Sequence, residues 1–330
     1  MRINWGIIGC GRLACLRIVP AFAKSRDNRL LAVADNAVSK VYTVAQRYGV
    51  ERVYTSAEEL IRDPDIKAVY IATPAYLHSR QVIVAARAGK HILCEKPMAL
   101  TVKDCEKMIE VCRQNKVNLM IGNMMRFHPI HQKAKQLIQG GELGKIILAR
   151  AQMSFYYPPE PDAWRQYLSS GGGGSLMDAG IHAIDILRYI LGEEVTAVSA
   201  FVDNLAFDYE VEDTAVALLK FTSDAQGIVD ACFSIRYTKN VLEVYGTQGT
   251  ILAADAIRQV PGNVLRVMKD SKVVSYDFVP TDCYLAEIEH FGRCIKEDRP
   301  PLVSGEDGLK DVMVVLAAYE SAKKGMQVSL

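Results

Sequence analysis

The sequence INWGIIGCGRLA at residues 3–14 decides the fold, because it joins an apolar strand to a helix through the pattern G-x-G-x-x-A. In such a turn the first glycine bends the chain tightly, the second lets the backbone approach a pyrophosphate, and the alanine permits close packing of helix on strand. A plain glycine turn between packed elements is the alternative. The strand before the pattern and the helix after it favour a dinucleotide-binding turn, formed by Gly9, Cys10, Gly11, Arg12, Leu13 and Ala14.

An acidic residue, Asp35, lies at the position from which such dinucleotide-binding segments bind the ribose of the cofactor. Asp35 ends the second strand-like run, LLAVAD, and the ribose of a bound dinucleotide is read by an acid about 20 residues after the glycines. A carboxylate accepts a hydrogen bond from a free 2′-hydroxyl and repels a 2′-phosphate. Asn36 follows instead of an arginine, so we expect Asp35 and Asn36 to favour NAD over NADP. Lys40 is a nearby cation that could bind the 2′-phosphate, so NADP remains the alternative cofactor.

The remaining pattern predicts two domains of different class. Residues 1–122 alternate short β-branched runs with helical periodicity, with Ser56 and Thr101 as helix N-caps, which predicts an α/β domain with a doubly wound parallel sheet. Residues 123–330 hold a helix, a strand, a glycine run that opens into a helix, about six further strand-like runs and two closing helices. This order predicts an α+β domain with a large, mostly antiparallel open sheet. The last helix is a candidate to pack back toward the first domain.

Composition excludes several classes of protein. The formal net charge is +1 and 23% of residues are charged, so neither nucleic acid nor an anionic membrane is expected as the main partner. The apolar start of the chain is broken by glycines at once, which is unlike a signal peptide or a membrane span. The eight cysteines are scattered without CxxC spacing. We therefore expect a cytoplasmic enzyme with reduced thiols.

Four segments carry a resemblance to a known family. They are GCGRLA at 9–14, ATPAYLHSRQVIVAARAGKHILCEKPMALT at 72–101, RFHP at 126–129 and GGGGSLMDAGIH at 171–182. With these segments the chain resembles, over nearly its whole length, the glucose–fructose oxidoreductase, inositol dehydrogenase and rhizopine-catabolism family (Gfo/Idh/MocA). The resemblance implies an NAD(P)-dependent oxidoreductase with a Rossmann domain, which transfers a hydride between nicotinamide and a hydroxyl or carbonyl carbon of a sugar, a polyol or a related small molecule.

The same resemblance implies that Lys96, Asp178 and His182 are catalytic and that no metal is needed. The chemistry of the residues agrees. Asp178 and His182 stand four apart at the start of a predicted helix, so their side chains share a face. Histidine titrates in the range useful for taking the hydroxyl proton, Lys96 follows a parallel strand where it can hydrogen-bond the same oxygen, and Asp178 can orient substrate or partners. The alternatives are a surface lysine, a helix-capping aspartate and a core histidine.

Further candidates are weaker. By resemblance the loop at Thr73 and Pro74 passes close to the nicotinamide, which makes both residues, with His78 and the Glu95–Lys96 pair, cofactor-site candidates. The side chains of Tyr156, Tyr157, Trp164 and Arg165 before the glycine run suit a sugar ring, although a packed loop explains them nearly as well. Arg126 either lines the substrate pocket or anchors the crossover between domains. The expected substrate contacts are Lys96, Arg126, Tyr156, Trp164, Arg165, Asp178 and His182.

Two other functions are consistent with such a chain: an NAD-dependent glycosidase of the same architecture, and a non-catalytic regulator that binds dinucleotide. Lys96 favours the dehydrogenase over the first, and the presence of all three catalytic candidates favours it over the second. By resemblance the open sheet also makes a homodimer or homotetramer. The runs DTAVALLKF at 213–221 and QGIVDACF at 226–233 carry apolar residues on both faces, whereas a sheet covered on one side only should alternate.

Overall fold

The computed structural model describes residues 2–161, 163–258 and 262–330, and it divides the chain into two compact units. The first unit comprises Met1–Met124 and Asp282–Leu309, and the second comprises Met125–Thr281 and Lys310–Leu330. The sequence pattern placed one boundary, at residue 122, and assigned all later residues to the second domain. The structure differs in segment 282–309.

The strands form two sheets. In the first unit six parallel strands lie in the order β3-β2-β1-β4-β5-β6, which confirms the doubly wound sheet; in the second, nine strands lie in the order β14-β13-β12-β11-β7-β10-β9-β8-β15. The strands are β1 (Ile3–Ile8), β2 (Asn28–Ala34), β3 (Arg52–Tyr54), β4 (Ala68–Ile71), β5 (His91–Glu95), β6 (Leu119–Gly122), β7 (Ile146–Gln152), β8 (Val195–Asp203), β9 (Thr214–Phe221), β10 (Gln226–Cys232), β11 (Leu242–Gly246), β12 (Thr250–Ala253), β13 (Val264–Lys269), β14 (Lys272–Asp277) and β15 (Val328–Ser329).

The helices cover these sheets. They are α1 (Val19–Lys24), α2 (Val38–Tyr48), α3 (Ala57–Arg62), α4 (His78–Arg87), α5 (Val102–Gln114), α6 (Pro129–Gln139), α7 (Leu168–Gly171), α8 (Ile181–Leu191), α9 (Cys283–Glu297) and α10 (Gly305–Lys324). Short 3₁₀ turns lie at Ala75–Leu77, Met124–Phe127 and Trp164–Gln166. Two π-helical turns, Ala14–Ile18 and Leu176–Gly180, lead into α1 and α8. As predicted, Ser56 and Thr101 cap α3 and α5 by accepting from backbone N–H groups three residues on.

Helix α9 belongs to the first unit because its apolar face is buried there. The ring centroid of Phe291 lies 5.8 Å from that of Trp5 on β1, and the indole of Trp5 donates to the Asn28 side chain at 2.9 Å. Gly292 brings α9 so close to Asn28 that a Cβ would overlap its side chain. Helical periodicity predicts α9 but does not say which core receives it, so the sequence pattern missed this return of the chain.

The strand order places the cofactor-type turn in the first sheet. Neighbours β1 and β4 lie at the centre, where the order reverses, and the segments after them start at Gly9 and Ala72. Ligands of such sheets bind at the carboxyl ends of the strands beside this point. The sequence pattern missed β3, which has only three residues, each half-buried.

The second sheet is mostly antiparallel, as predicted: β7 pairs with β10 in parallel, and the other described pairs are antiparallel. Helix α8 is buried along its whole length. Along β9, burial alternates, but the exposed positions include Val216 and Leu218, which are 38% and 54% exposed. Phe201 on β8, opposite Val216, is 79% exposed. This sheet therefore has one covered face and one open face that carries apolar side chains.

None of the helices in the described part of the chain combines the length and the hydropathy that crossing a membrane requires.

Candidate active site

The glycine turn of the first unit has one crowded glycine and one open glycine. Gly9 has φ +98°, and a Cβ there would lie 2.7 Å from the carbonyl oxygen of Ala72. Gly11 has no heavy atom within 4 Å of its ideal Cβ position. Ala14 is buried where the π-helical turn begins, whereas Arg12 is exposed and Leu13 half-buried. Open space above backbone at the start of a helix fits the pyrophosphate of a dinucleotide.

Asp35 ties this turn to the end of β2. Its Oδ2 accepts from the Cys10 backbone N–H at 2.8 Å, and its Oδ1 accepts from the Ala37 N–H at 2.8 Å. Each oxygen keeps a lone pair for a ribose hydroxyl. Burial, followed by the charge of Asp35, raises the pKa of the Cys10 thiol to about 12, while Lys40 opposes this. The turn therefore has a carboxylate and an ammonium group beside it, and its residues fit a bound dinucleotide.

His78 joins two loops of the first unit and is 1% exposed. Its Nδ1 lies 2.9 Å from the carbonyl oxygen of Pro97, and its Nε2 lies 2.9 Å from that of Thr73. Burial lowers the pKa of His78, so the neutral ring donates to one of these carbonyls at a time. His78 therefore holds the two loops in position, whereas we expected it to contact the cofactor. Thr73 and Pro74 are half-buried.

Lys96 lies directly after β5, half-buried, and its peptide bond to Pro97 is cis. The preceding residue, Glu95, is buried; it accepts from the Tyr70 hydroxyl at 2.7 Å through Oε1 and from the Lys96 N–H at 3.3 Å through Oε2. The Glu95 side chain is therefore part of the packing beneath Lys96, which differs from the expected contact with cofactor.

In the second unit Asp178 lies inside the π-helical turn and His182 in the first turn of α8. We expected a regular helix here, with capping as the alternative role of the aspartate. In the structure the Asp178 carboxylate instead accepts from Arg165 Nε at 3.1 Å. His182 is buried. Single π-helical turns of this kind occur frequently at functional sites.

The glycine run before this turn packs against protein. Glu212 accepts from the backbone N–H groups of Gly174 and Leu176, each at 2.8 Å, and from the Tyr319 hydroxyl at 2.9 Å. A Cβ on Gly173 would overlap the Tyr319 hydroxyl, and one on Gly174 would overlap the Glu212 backbone. The structure shows that Gly173 and Gly174 make room for Tyr319 and Glu212.

Aromatic rings lie beside the Arg165–Asp178 pair. The guanidinium carbon of Arg165 lies 4.3 Å from the Trp164 ring centroid. Burial raises the pKa of Tyr157, and the nearby charges of Arg165 and Asp178 lower and raise it respectively. The sequence pattern selected Tyr156, which packs instead against Phe207 and under Arg236, because adjacent residues of an extended segment point to opposite sides. Of the two tyrosines before the glycine run, Tyr157 is therefore the better candidate for a substrate contact, and the alternation of an extended segment was the signal that separates them.

Arg126 is buried in an ion pair with Asp185 of α8, three residues after His182. Its Nε and Nη2 donate to Asp185 Oδ1 at 2.9 and 2.6 Å. This geometry supports a structural, anchoring role for Arg126 and not a contact of Arg126 with substrate. The neighbouring His128 caps α6 by accepting from the Ile130 N–H at 3.2 Å, and burial lowers its pKa to about 4.

Among residues 2–161, 163–258 and 262–330, no cluster of three or more His, Cys, Asp or Glu side chains has an arrangement that could hold a metal ion.

Both parts of the chain match known families. Residues 3–123 match the oxidoreductase family with an NAD-binding Rossmann fold, and residues 131–252 match the GFO/IDH/MocA C-terminal domain. Together the matches cover more than half of the chain, on the two sides of the boundary at Met124.

Individual proteins agree with the family match. The chain is 33% identical to myo-inositol 2-dehydrogenase of Thermotoga maritima, covering 100% of this chain and 98% of that protein. It is 31% identical to D-xylose 1-dehydrogenase (NADP⁺) 2 of Haloferax volcanii, covering 99% of each. The crystal structure of aldose-aldose oxidoreductase from Caulobacter crescentus superposes with a TM-score of 0.93 at 34% identity, covering 100% of both chains. The chain belongs to the Gfo/Idh/MocA family of oxidoreductases.

Proposed function

We propose that this oxidoreductase transfers a hydride between the nicotinamide of NAD and a hydroxyl-bearing carbon of a sugar, a polyol or a related small molecule. The observation that carries the proposal is the Asp178 carboxylate, held by Arg165 beside aromatic rings and one helical turn before His182. Such a group of polar side chains against ring faces is suited to a hydroxyl-rich ligand. The relatives named above act on an inositol, a xylose and aldoses.

His182 is our candidate general base. Oxidation of an alcohol requires a group that takes the hydroxyl proton, and a positioned base contributes roughly 10²–10⁴ in rate. Lys96 hydrogen-bonds the same oxygen and stabilises its developing negative charge. Asp178, fixed by Arg165, orients the substrate or the two other groups. A bound nicotinamide supplies the hydride acceptor, or the donor in the reverse direction.

The cofactor proposal is that NAD binds more tightly than NADP. Asp35 stands beside the glycine turn with lone pairs available for a ribose hydroxyl, and its charge disfavours a 2′-phosphate. Lys40 opposes this preference in part, since it also lies close to Cys10. The cofactor site comprises the turn at residues 9–14 with Asp35, Asn36, Thr73, Pro74 and the backbone at Lys96.

For substrate contacts we propose Lys96, Tyr157, Trp164, Arg165, Asp178 and His182. Trp164 and Tyr157 offer ring faces, while Arg165 offers a cation that is already fixed by Asp178. We no longer propose Tyr156 or Arg126 as substrate contacts. Tyr156 packs against Phe207 and Arg236, and Arg126 forms a buried ion pair with Asp185.

The test is a panel of polyols, aldoses, inositols and anhydro- and keto-sugars, assayed with NAD and NADP in both directions by the nicotinamide absorbance. We expect net absorbance change with at least one substrate, and a slower change in the Lys96→Met and His182→Gln variants. Absence of any change across the panel, with dinucleotide binding intact by calorimetry, would contradict the proposal.

The same assay separates the two alternatives, for which the comparisons give no support. A glycosidase that uses NAD in a transient redox cycle would cleave glycosides without net absorbance change. A regulator would bind dinucleotide without turnover of any substrate.

We also propose that the open face of the second sheet forms a homodimer or a homotetramer. Val216, Leu218 and Phe201 form an exposed apolar row there, and exposed apolar patches of this kind mark interaction sites. Leu218→Asp should shift the protein to monomer in sedimentation at micromolar concentration. A wild-type protein that is already monomeric there would contradict the proposal.

Finally, we propose that the enzyme works in the cytoplasm, since all eight cysteines are free thiols and a reducing compartment keeps them so.

A further inference from the structure

Two carboxyl groups and two phenols are buried together beneath Lys96 in the first unit. Tyr70 on β4, Glu95 on β5 and Glu287 on α9 are 0%, 6% and 0% exposed, and Tyr284 on α9 is also buried. The Tyr70 hydroxyl donates to Glu95 Oε1 at 2.7 Å and lies 3.4 Å from Glu287 Oε2. The proposed chemistry uses neither Tyr70 nor Glu287, although each is costly to bury.

One hydrogen atom cannot serve both carboxyl groups. The phenol has a single O–H, which it donates at the shorter distance, to Glu95. If both carboxyl groups were ionised, two negative charges would lie around one phenol in a buried site, and like charges so placed do not both ionise. A proton on Glu287 removes the conflict, because the neutral carboxyl group donates to the phenol oxygen.

Other observations identify Glu287 as the protonated member. Its Oε1 has no hydrogen-bond partner in the described part of the chain, whereas Glu95 accepts both from Tyr70 and from the Lys96 N–H. Burial, then the charge of Glu95, raises the pKa of Glu287 well above its usual range. Among the described residues, the ionisable groups that interact electrostatically with Glu287 are Glu95, Tyr70, Tyr284 and Cys283, and Arg17 acts on Tyr284.

Glu95 has little freedom beyond these bonds. It ends β5 next to Gly122 of β6, where a Cβ would lie 3.3 Å from the Glu95 carboxyl carbon. The absence of a side chain at position 122 therefore leaves the space that the Glu95 carboxylate fills, and the bond to the Lys96 N–H passes its orientation to the next residue.

We propose that Glu287 is a positioning residue: in its neutral form it donates to Tyr70, which fixes Glu95 and thereby the backbone at Lys96. The proposal rests on the proposed function, in which Lys96 acts on the substrate oxygen. Helix α9 thus supports the reaction from a segment that is about 190 residues away in sequence but belongs to the same unit.

The protonation state is tested without turnover. Infrared difference spectra between wild type and Glu287→Gln at neutral pH should contain the C=O stretching band of a protonated carboxyl group, present in wild type only. A difference spectrum with only carboxylate bands would overturn the proposal, whatever the substrate of the enzyme is.

The positioning role is tested by kinetics. Glu287→Gln keeps a neutral donor of the same shape, so we expect it to retain most of kcat. Glu287→Leu and Tyr70→Phe break the chain of hydrogen bonds and should lower kcat roughly tenfold, as small misplacements of reacting groups do, with a much smaller change in the Kd of NAD. The matched control is Tyr54→Phe, which removes a phenol that donates to Asp63 at 2.9 Å elsewhere in the unit and should leave kcat unchanged.

A double variant separates this proposal from the proposed function. In a Lys96→Met background, Tyr70→Phe should have no further effect on kcat, because it acts through Lys96. An equal loss in both backgrounds would overturn the positioning role and leave the proposed function standing. Unchanged kcat in Lys96→Met alone would overturn the role of Lys96, and the positioning role with it. If Glu287→Leu does not fold, Tyr70→Phe carries the test.

Discussion

The two glycine-rich segments of this chain differ in what they make room for. In the segment of the first unit, Gly11 faces open space, whereas Gly9 lies close to the backbone of Ala72. In the segment of the second unit, Tyr319 and Glu212 occupy the space beside Gly173 and Gly174. Each segment precedes a π-helical turn, at Ala14–Ile18 and Leu176–Gly180. Similar glycine-rich sequences therefore leave space open beside the backbone in one unit and allow internal packing in the other.

The difference shows how each unit contributes to function. The first glycine segment leaves backbone accessible, so its variants should change cofactor affinity more than stability. The second is locked to its own unit and carries Asp178 in the following turn, so its variants should change stability and turnover. Four predictions test this contrast, from the largest expected effect to the smallest.

The largest effect is expected for His182→Gln. This change keeps hydrogen bonding but removes proton transfer at useful pH, so kcat should fall by about 10² or more while the Kd of the dinucleotide stays nearly the same. Steady-state rate assays measure kcat, and calorimetric titration measures the Kd of the dinucleotide. Lys96→Met should also lower kcat, and the double variant should lose less than the product of the single effects.

A near-normal kcat in His182→Gln, with substrate and cofactor saturating, would contradict the assignment. Lys96 would then become the candidate base.

The second prediction compares one glycine from each segment. Gly174→Ala forces a Cβ into the Glu212 backbone and should lower the free energy of unfolding by about 1–3 kcal/mol, as overpacking does. Gly11→Ala adds its Cβ to open space and should leave stability nearly unchanged, but weaken dinucleotide binding. Denaturant unfolding and calorimetry report the two effects. Equal stability losses in both variants would remove the contrast between the segments.

The third prediction concerns the carboxylate beside the first segment. Asp35→Ser should narrow the preference for NAD over NADP by about tenfold, equivalent to 1.4 kcal/mol, because the charge that repels a 2′-phosphate is gone. Since Asp35 also accepts from Cys10 and Ala37, Asp35→Asn is the matched control that keeps an acceptor oxygen. Tighter binding of NADP than NAD in the wild type would refute the argument.

The smallest effect is expected from His78, which supports the loop beside Gly9. Burial lowers its folded pKa below the ordinary 6.5, so below pH 6.5 the unfolded chain binds the proton more readily than the folded chain. Stability from this residue is present above that pH and is lost as pH falls toward the folded pKa, at no more than about 1.4 kcal/mol per pH unit. Thermal unfolding at pH 7 and pH 5 should show a smaller acid-induced loss in His78→Gln than in wild type. A larger loss in the variant would reverse the sign of the argument.

The sequence predicted most of what depends on local order. The six residues of the first glycine turn, the acid after β2 and the N-caps Ser56 and Thr101 each act on neighbours a few residues away or on an adjacent strand. Alternation and periodicity then predicted the class of both sheets. The pattern failed at β3, where three half-buried residues are too few to predict a strand, and it did not separate Tyr156 from Tyr157, which lies near Arg165.

The sequence by itself determined the glycine turn between β1 and the following helix and the two fold classes, because these follow from spacing along the chain. The candidate catalytic residues came from the family resemblance that its motifs carry. Only the tertiary structure decided that α9 joins the first unit, that Gly174 is required by Glu212, that Arg126 pairs with Asp185, and that Tyr70 stands between Glu95 and Glu287. The contacts of Glu212 with Gly174 and of Tyr70 with Glu287 join residues 38 and 217 positions apart. Their free energy depends on burial and on the partner that burial supplies, and neither is written in the pattern of a single segment.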